Sequence, residues 1–347
     1  MSGKSDAHRR AEGTADAPIV VGLVNNMPDA ALESVEAQFR TLIDAAAGVR
    51  PVRLRFSSLP EVQRGPVASQ HITDTYWRID DLLGEPLDAL IVTGTEPRAQ
   101  SLRDEPYWPR LVEVLEWAQE HTLSSIWSCL AAHAAVLHLD GVERRRLPHK
   151  CCGVFEHMVV ADHPLMDGIE APLRMPQSRW NDLPTEALAA AGYSIICWSG
   201  ESGAHAFVKH RGSSLLVFLQ GHPEYDEWAL LKEYRRDIGR FLGGQQAAYP
   251  DMPRGYLTLE AIDRLTAFQS EAMKARHVDI LSTFPFTAVA ECLTTSWRAS
   301  AIRFYGNWLS LIEARRQPGK AREPGLGWYP APAYASTSME LRDGAAH

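Results

Sequence analysis

The sequence predicts an α/β fold with a mainly parallel sheet and helices on both faces. Short apolar runs of strand length recur along the chain, and longer segments with apolar residues at helical spacing lie between them. Runs that are apolar throughout are typical of strands buried on both faces, as in parallel sheets, and repeated strand–helix alternation gives the same architecture. Because such sheets carry their sites beyond the carboxyl ends of the strands, the residues that follow each strand are the first functional candidates.

The elements are predicted in chain order from these two patterns. Residues 19–24, with the sequence IVVGLV, form a first buried strand, and residues 31–47 repeat apolar side chains at helical spacing through Leu32, Val35 and Phe39. The same criteria predict further strands at 52–56, 89–93, 123–128, 154–160, 193–198, 206–210 and 215–219. They predict further helices at 111–121, 130–139 and 227–242.

Composition and charge restrict the class of protein. The chain has 347 residues, 45% hydrophobic and 22% charged, which is the balance of an ordinary soluble globular protein. A net charge of −8 argues against a nucleic-acid-binding protein. No apolar run approaches the ~20 residues that span a bilayer, and the polar N-terminus lacks the apolar core of a signal peptide. Five cysteines without metal-ligand spacing predict a cytoplasmic location, no disulfide framework and no metal site.

We predict one main domain, residues 18–314, between two flexible tails. Residues 1–17 are polar and show no periodicity. Residues 315–347 are punctuated by proline and glycine and are too weakly patterned for a packed element. The length alone would also suit two domains.

Cys129 directly follows the predicted strand 123–128, and an alanine-rich helical segment begins at Leu130. A nucleophile on a sharp strand-to-helix turn is held at the edge of the sheet, where the helix N-terminus stabilises a thiolate. Small residues after such a turn let strand and helix approach each other. A cysteine in apolar surroundings is also common as core packing, so this feature needs a catalytic partner.

His222 and Glu224 follow the predicted strand 215–219, within the sequence QGHPEYD of residues 220–226. A catalytic cysteine needs a base to take its proton, and that base needs an acid to orient it. A surface His-Pro turn would explain the motif in isolation. With Cys129 at the end of another strand of the same sheet, the three residues form a candidate catalytic triad.

Motifs spread over about residues 21–311 resemble one enzyme family. The cysteine on its turn, followed by His-x-Glu, resembles the flavodoxin-like fold of class I glutamine amidotransferases. The chain is more specifically similar to the homoserine O-acyltransferases (O-succinyl and O-acetyl) of bacterial methionine biosynthesis. The motifs that carry this resemblance are, in order, GLVNNMP (22–28), LIVTG (90–94), YWP (107–109), LEW (115–117), GVFEH (153–157), PQSRW (176–180), GHPEYD (221–226), RD (236–237) and SWR (296–298).

The resemblance implies an O-acyltransferase that moves an acyl group from acyl-CoA to the hydroxyl of L-homoserine. Cys129 would carry the acyl group as a thioester, His222 would accept and donate the proton, and Glu224 would orient His222. A covalent intermediate splits the transfer into two modest steps, and the second needs a general base for the acceptor hydroxyl. Acyl-CoA and L-homoserine are then substrates. No cofactor, nucleic acid or membrane is implied, and the family suggests a homodimer.

The resemblance also implies residues that bind substrate. Lys150 and Ser178 match substrate-binding positions of the family, and Arg236 matches an arginine that clamps the amino-acid carboxylate, a task that suits a bidentate guanidinium. Taken alone, Lys150 would be a solvated loop cation and Ser178 an ordinary loop serine. We interpret Arg235 and Arg240 as part of a solvated helix face.

Both steps pass through a tetrahedral oxyanion, which needs fixed hydrogen-bond donors. The backbone N–H of Leu130, directly after the nucleophile, is one candidate. Gly94 and Thr95, after the strand 89–93, are the other, because the amidotransferase-like fold uses that loop in this way. Alternatively, Gly94 simply makes the turn.

The sequence departs from the family at the position associated with acyl choice. Family members carry Gly there with succinyl and Glu with acetyl, whereas the ungapped position here is Arg98. An arginine could pair with the free carboxylate of a succinyl group, so Arg98 favours succinyl-CoA. Residues 255–284 are also longer than in the family, and we interpret them as an added lid or dimer element. Serine or another hydroxy amino acid therefore stays open as the acceptor.

Other functions also stay open on the sequence alone. The donor could be acetyl-CoA, and the scaffold could serve a Cys-dependent amidotransferase or hydrolase, or a non-catalytic amino-acid-binding homologue. Amidotransferases place glycines two residues before and after the nucleophile, where this chain has Trp127 and Ala131, which argues against a glutaminase. A non-catalytic binding protein is disfavoured, because the chain has Cys129, His222, Glu224, Lys150 and Arg236 together.

Overall fold

The computed structural model describes residues 17–293 and 295–316. Within these ranges the strands are β1 (Ile19–Val24), β2 (Val52–Ser57), β3 (Ala89–Val92), β4 (Ser124–Ser128), β5 (Arg145–Val159), β6 (Leu173–Asp182), β7 (Ser194–Ser199), β8 (Gly203–Arg211) and β9 (Ser214–Leu219). The α-helices are α1 (Leu32–Ala47), α2 (Pro66–Thr75), α3 (Ile79–Gly84), α4 (Trp108–His121), α5 (Leu130–Asp140), α6 (Thr185–Ala190), α7 (Ala229–Leu242), α8 (Leu259–Ala275), α9 (Phe286–Ala290) and α10 (Arg298–Arg316). Short 3-10 helices cover Asp29–Ala31, Leu102–Asp104, Pro164–Met166 and Val278–Thr283. The predicted tails, 1–17 and 315–347, lie almost wholly outside the described residues.

The strands form one sheet in the order β2-β1-β3-β4-β9-β8-β7-β5-β6. The first five strands in this order are parallel to one another, and β2-β1-β3-β4 followed by β9 is the flavodoxin-like 2-1-3-4-5 arrangement. In this arrangement β4 and β9 are adjacent, with Ser128 paired to Leu219 at their carboxyl ends. Cys129 and, three residues after β9, His222 therefore leave the sheet at the same edge.

Helices cover both faces of the sheet. On one face, α1, α7, α8 and α10 share a core with apolar side chains of the strands, among them Val21 of β1 and Val217 of β9. On the other face, α3, α4, α5 and α6 share a core with Leu90 and Val92 of β3. The predicted α/β class with helices on both faces is confirmed.

The second half of the sheet is antiparallel, which the expectation of a mainly parallel sheet did not include. Only residues 212–213 separate β8 from β9, and only residues 200–202 separate β7 from β8. A parallel connection needs about a dozen residues or more, so connections this short join antiparallel neighbours. Gly212, with φ of +55°, makes the tighter of these turns. The short spacing between the predicted strands therefore already indicated that these neighbours run antiparallel.

Hydrophobic patterning also missed several elements. The motif 176–180 lies on β6, where Pro176 is tolerated because β6 is the edge strand of the sheet. The segment 255–284 contains helix α8, and its interpretation as an added lid or dimer element stays a prediction. Helix α10 continues to Arg316, whose Nε donates a hydrogen bond to Asp88 (2.7 Å) and so ties the helix end to the loop before β3.

The described ranges contain neither a candidate membrane span nor a candidate metal cluster. None of their helices combines the length and apolar character that a membrane span requires. Their His, Cys, Asp and Glu side chains form no group of three suited to a metal ion. All five cysteines are free thiols.

Candidate active site

Cys129 occupies the turn between β4 and α5. Its backbone has φ of +51° and ψ of −114°, a region that residues other than glycine adopt rarely and at a cost. The backbone N–H of Cys129 donates to the carbonyl oxygen of Leu219 at 2.7 Å, which ties the turn to the end of β9. The predicted strand–cysteine–helix turn is therefore present, with the thiol at the N-terminus of a helix.

His222 and Glu224 lie on the loop that leaves β9. The Nδ1 of His222 is 2.8 Å from Oε1 of Glu224, and the two side chains are 7% and 4% exposed. The backbone N–H of His222 donates to the carbonyl of Pro176 (2.9 Å), and its ring stacks on Tyr225 with centroids 4.3 Å apart. The His222 side chain also hydrogen-bonds to Cys129. Because Nδ1 faces Glu224, the ring nitrogen that bonds to Cys129 is Nε2. The structure thus brings the three predicted triad residues together.

Neighbouring charges determine the protonation of His222. Burial alone would lower its pKa, but the charges of Cys129 and Glu224, and the hydrogen bonds to both, raise the pKa of His222 well above its ordinary value. The imidazole therefore holds a proton at neutral pH beside the sulfur of Cys129. An imidazolium next to a cysteine favours the thiolate, which is the nucleophilic form.

A second cluster of polar side chains centres on Glu233 of α7. The Nζ of Lys150 is 3.2 Å from Oε2 of Glu233. The Nη2 of Arg236 lies 3.4 Å from the same oxygen, and the hydroxyl of Ser178 donates to it. The hydroxyl of Tyr225 donates to Oε1. The three residues predicted to bind substrate thus meet on one carboxylate, and Tyr225 connects them to the triad.

The charges of this cluster balance. Burial alone would raise the pKa of Glu233, but the charges of Lys150 and Arg236 and the hydrogen bonds that Glu233 accepts lower it to about 2. Asp237 lies 2.7 Å from Nζ of Lys150 and 3.0 Å from Nη2 of Arg236. Two carboxylates therefore face two cations. Sequence analysis assigned neither acid a role, although their i, i+4 spacing puts both on one face of α7.

Lys150 and Ser178 lie on strands, not in loops. Lys150 belongs to β5 and its side chain is only 13% exposed, so it is not a solvated loop cation. Ser178 belongs to β6 and pairs with Cys152 of β5. The polar motif around Pro176 lacks the apolar character of a buried strand, and proline is rare in central strands, so the pattern concealed an edge strand.

The loop after β3 lies directly against the first residue of α5. A Cβ added to Gly94 would meet the Cβ of Leu130 at 2.6 Å and its backbone nitrogen at 2.9 Å. Glycine is needed here for close approach, since Gly94 has no positive φ. The N–H of Leu130 is at the start of its helix and has no partner within the helix. The structure thus brings the predicted oxyanion-binding groups, Leu130 and the Gly94–Thr95 loop, to one place.

Comparisons with known proteins decide the family. A family model described as homoserine O-succinyltransferase matches residues 5–318. The chain belongs to this family. Homoserine O-succinyltransferase from Rhodopseudomonas palustris is 47% identical over 291 residues, which cover 84% of this chain and 87% of that protein. The protein of that name from Methylorubrum extorquens is 48% identical over 295 residues, covering 85% and 87%. The resemblance drawn from the motifs is confirmed.

A solved structure of a glutamine amidotransferase from Methylobacillus flagellatus also aligns with the chain. The identity is 15%, the TM-score is 0.46, and the alignment covers 85% of this chain and 94% of that one. The strand order described above shows the fold without this likeness.

In this member of the family, carboxylates hold the loop that contains Arg98. The buried Glu105 accepts a hydrogen bond from the backbone N–H of Arg98 (2.6 Å). The guanidinium of Arg98 is exposed and bonds to Gln63. Its part in acyl choice stays a prediction. Arg240 is not merely part of a solvated face, because its Nη2 bonds both carboxylate oxygens of Glu96 (2.7 and 2.8 Å).

Two buried, neutral histidines, His157 and His205, lie next to the triad. The sequence patterns assigned no role to His205. The rings of His157 and His205 have centroids 5.0 Å apart, and the amide nitrogen of Gln177 lies 3.3 and 3.2 Å from them. Burial lowers the pKa of His157 to about 4 and that of His205 well below its ordinary value. These imidazoles are neutral at neutral pH, whereas His222 is charged.

Proposed function

We propose that this chain transfers a succinyl group from succinyl-CoA to the hydroxyl of L-homoserine, a step of methionine biosynthesis, through a thioester on Cys129. The observation that carries the proposal is the Cys129–His222–Glu224 arrangement at the adjoining ends of β4 and β9. The names of relatives at 45–48% identity support this donor and acceptor.

In the first half-reaction, the sulfur of Cys129 attacks the thioester carbonyl carbon of succinyl-CoA. The bond between that carbon and the CoA sulfur breaks, and His222 gives its proton to the departing CoA thiolate. We assign stabilisation of the developing oxyanion to the backbone N–H of Leu130 and the Gly94–Thr95 loop, and the close approach of Gly94 to Leu130 supports this. The products of this step are free CoA and succinyl-Cys129.

In the second half-reaction, the now neutral His222 removes the proton from the homoserine hydroxyl as the oxygen attacks the thioester. The bond to sulfur breaks, Cys129 leaves as thiolate, and O-succinylhomoserine is released. His222 ends protonated, which restores the starting pair of charges. Glu224 occupies Nδ1 of the imidazole throughout, so Nε2 performs both proton transfers.

The cluster on α7 supplies the contacts for the acceptor. Arg236 is 46% exposed, so its guanidinium keeps an open edge for the carboxylate of homoserine. Lys150 holds the two carboxylates of the cluster in place, with Nζ 3.2 Å from Glu233 and 2.7 Å from Asp237.

For the donor, we propose that Arg98 pairs with the carboxylate of the succinyl group. It lies four residues after Gly94, on the loop that adjoins the oxyanion-binding groups. Engaging a ligand requires the guanidinium to give up only its exposed hydrogen bond to Gln63. An acetyl group has no carboxylate that could replace this hydrogen bond.

We infer a cytoplasmic location from the five unpaired cysteines, since disulfides are rare in reducing compartments. The homodimer that the resemblance implies stays a prediction. The two proposed half-reactions require no metal or other cofactor.

The proposal is tested by product analysis with the purified full chain. Succinyl-CoA or acetyl-CoA is mixed with homoserine, with serine or with no acceptor, and the products are identified by mass spectrometry. O-Succinylhomoserine should form fastest, with no CoA release in excess of enzyme when the acceptor is absent. Steady CoA release without acceptor would indicate a hydrolase, and glutamine hydrolysis an amidotransferase. Cys151→Ala, which removes another partly exposed thiol, is the matched control for Cys129→Ala.

A further inference from the structure

A cleft between α7 and the added segment combines cations with aromatic side chains. Its volume is about 330 Å³, and it is lined by Lys232, Arg235, Leu281, Ser282, Phe284 and Phe286. None of these lining residues is acidic. One wall is helix α7, which also carries the Glu233 cluster, and the other wall is the end of the segment 255–284 and the start of α9.

The charge of Arg235 in this cleft is uncompensated. Over the described ranges, no carboxylate lies within ion-pair distance of Arg235, whose Nη2 donates to the carbonyl of Leu281 (3.2 Å) and whose guanidinium lies 6.0 Å from the ring centre of Phe284. The Nζ of Lys232 is 3.6 Å from the partly exposed Asp226. In a chain of net charge −8, free positive charge beside aromatic rings indicates a ligand with anionic and planar apolar parts.

The cleft and the substrate cluster occupy neighbouring faces of α7. Residues three or four apart share a helix face, so Glu233 and Arg236 form one row and Lys232 and Arg235 the next. Lys232 and Arg236 are themselves four apart, and both are exposed. A ligand whose reactive end lies at the triad can therefore extend past Arg236, cross the exposed surface of α7 and reach the cleft.

We propose that this cleft binds the adenosine 3′-phosphate 5′-diphosphate end of the acyl-CoA donor, an assignment that rests on the proposed function. Lys232 and Arg235 pair with the phosphates, and the hydroxyl of Ser282 adds a neutral hydrogen bond. The adenine packs against Phe284 and Phe286. The flexible pantetheine arm crosses α7 and delivers the thioester to Cys129. The added segment then acts as the second wall of a nucleotide site.

The first experiment measures binding of adenosine 3′,5′-bisphosphate, which carries this end of CoA without the thioester. Wild type is compared by calorimetry with the double variant Lys232→Ala/Arg235→Ala and with Arg53→Ala, which removes an exposed arginine on β2. The double variant should bind at least tenfold more weakly, as expected for lost charge-assisted hydrogen bonds, and Arg53→Ala should match wild type. Equal affinity in all three proteins would overturn the proposal, as would equal displacement of the probe by inorganic phosphate at the same concentration.

The second experiment compares succinyl-CoA with succinyl-pantetheine, which lacks the nucleotide. The double variant should raise KM for succinyl-CoA at least tenfold with little change in kcat, and should leave kcat/KM for succinyl-pantetheine unchanged. Equal losses with both donors, or no loss with either, would overturn the assignment. If wild type reacts with neither donor, the proposed function fails, and the binding experiment still decides whether the cleft holds the nucleotide.

Discussion

His222 is charged because of its two neighbours, Cys129 and Glu224. The effects of single substitutions in the site should follow from this dependence. The raised pKa of His222 depends on the charge of Cys129 and on the charge and hydrogen bond of Glu224, acting against burial. The adjacent histidines, which lack such partners, are neutral. The reactivity of Cys129 is therefore expected to depend on Glu224, although Glu224 contacts neither substrate nor sulfur in the proposed reaction.

Replacing Glu224 with Gln should remove part of the interaction that raises the pKa of His222. The pKa of His222 falls, so fewer molecules hold the charged pair at neutral pH. Alkylation of Cys129 by iodoacetamide at about pH 7, followed by mass spectrometry, should be slower than in wild type, because less imidazolium stands beside the sulfur. Turnover should fall by roughly 10²-fold or more. The control is Glu156→Gln, an exposed carboxylate on β5; an alkylation profile of Glu224→Gln that overlays wild type would refute this account.

Gly94 tests the oxyanion-binding loop. In Gly94→Ala the new Cβ would meet Leu130 at 2.6 Å, so the loop and the first turn of α5 must separate. Losing one fixed donor costs about 10²–10³ in kcat, and we expect a loss of that order with KM for both substrates nearly unchanged. Gly84→Ala is the control, because nothing lies within 4 Å of its added Cβ. Equal kcat in the two variants would show that Gly94 serves only the turn.

Arg98 tests donor choice. Arg98→Glu places a negative charge where the succinyl carboxylate is proposed to bind, so kcat/KM should fall for succinyl-CoA and hold or rise for acetyl-CoA. The ratio of the two kcat/KM values, measured at fixed homoserine, is the readout. Arg103→Glu, an exposed arginine of the same connection, controls for a general charge effect. An unchanged ratio in Arg98→Glu would remove Arg98 from the account.

At the scale of elements, helix α7 joins the site to the fold. Its Glu233 accepts bonds from residues of β5, β6 and the loop after β9, so one carboxylate fixes the relative positions of three segments. Because the pKa of Glu233 in the folded protein, about 2, is below its ordinary value of 4.5, ionised Glu233 favours the folded state. This contribution is complete above about pH 5 and disappears as pH falls toward 2.

Glu233→Gln should therefore flatten the acid limb of stability. The shift corresponds to about 3 kcal/mol at neutral pH. The free energy of unfolding by urea, measured at about pH 7 and about pH 4, should decline less over that interval in the variant than in wild type. Glu271→Gln, an exposed carboxylate on α8, serves for comparison. A wild-type decline fully retained in Glu233→Gln would contradict the assigned role.

Sequence patterns predicted the elements of the parallel half closely because burial on both faces leaves continuous apolar runs. They placed β1 at 19–24 and α1 one residue from its observed start. They failed for β6, whose motif is polar and contains Pro176 at the sheet edge, and for α8 and α10. The antiparallel direction of β8 followed from loop length, which hydrophobic periodicity does not report.

At the scale of the whole molecule, the order of the strands explains which site residues were predictable. Cys129 and His222 each follow a strand, so adjacency of β4 and β9 was enough to bring them together. Lys150, Ser178 and Arg236 were located only through the family resemblance, because they come from β5, β6 and α7 and meet through Glu233. That meeting depends on tertiary packing, and no local pattern in the sequence reports it.

The central claim is that Cys129 carries the acyl group, and intact-protein mass spectrometry tests it most directly. The enzyme is mixed with succinyl-CoA in the absence of acceptor, then with homoserine. We predict a single succinyl adduct that is absent in Cys129→Ala, present in Cys151→Ala, and discharged when homoserine is added. An adduct that persists in Cys129→Ala, or O-succinylhomoserine formed at wild-type rate by that variant, would contradict the account.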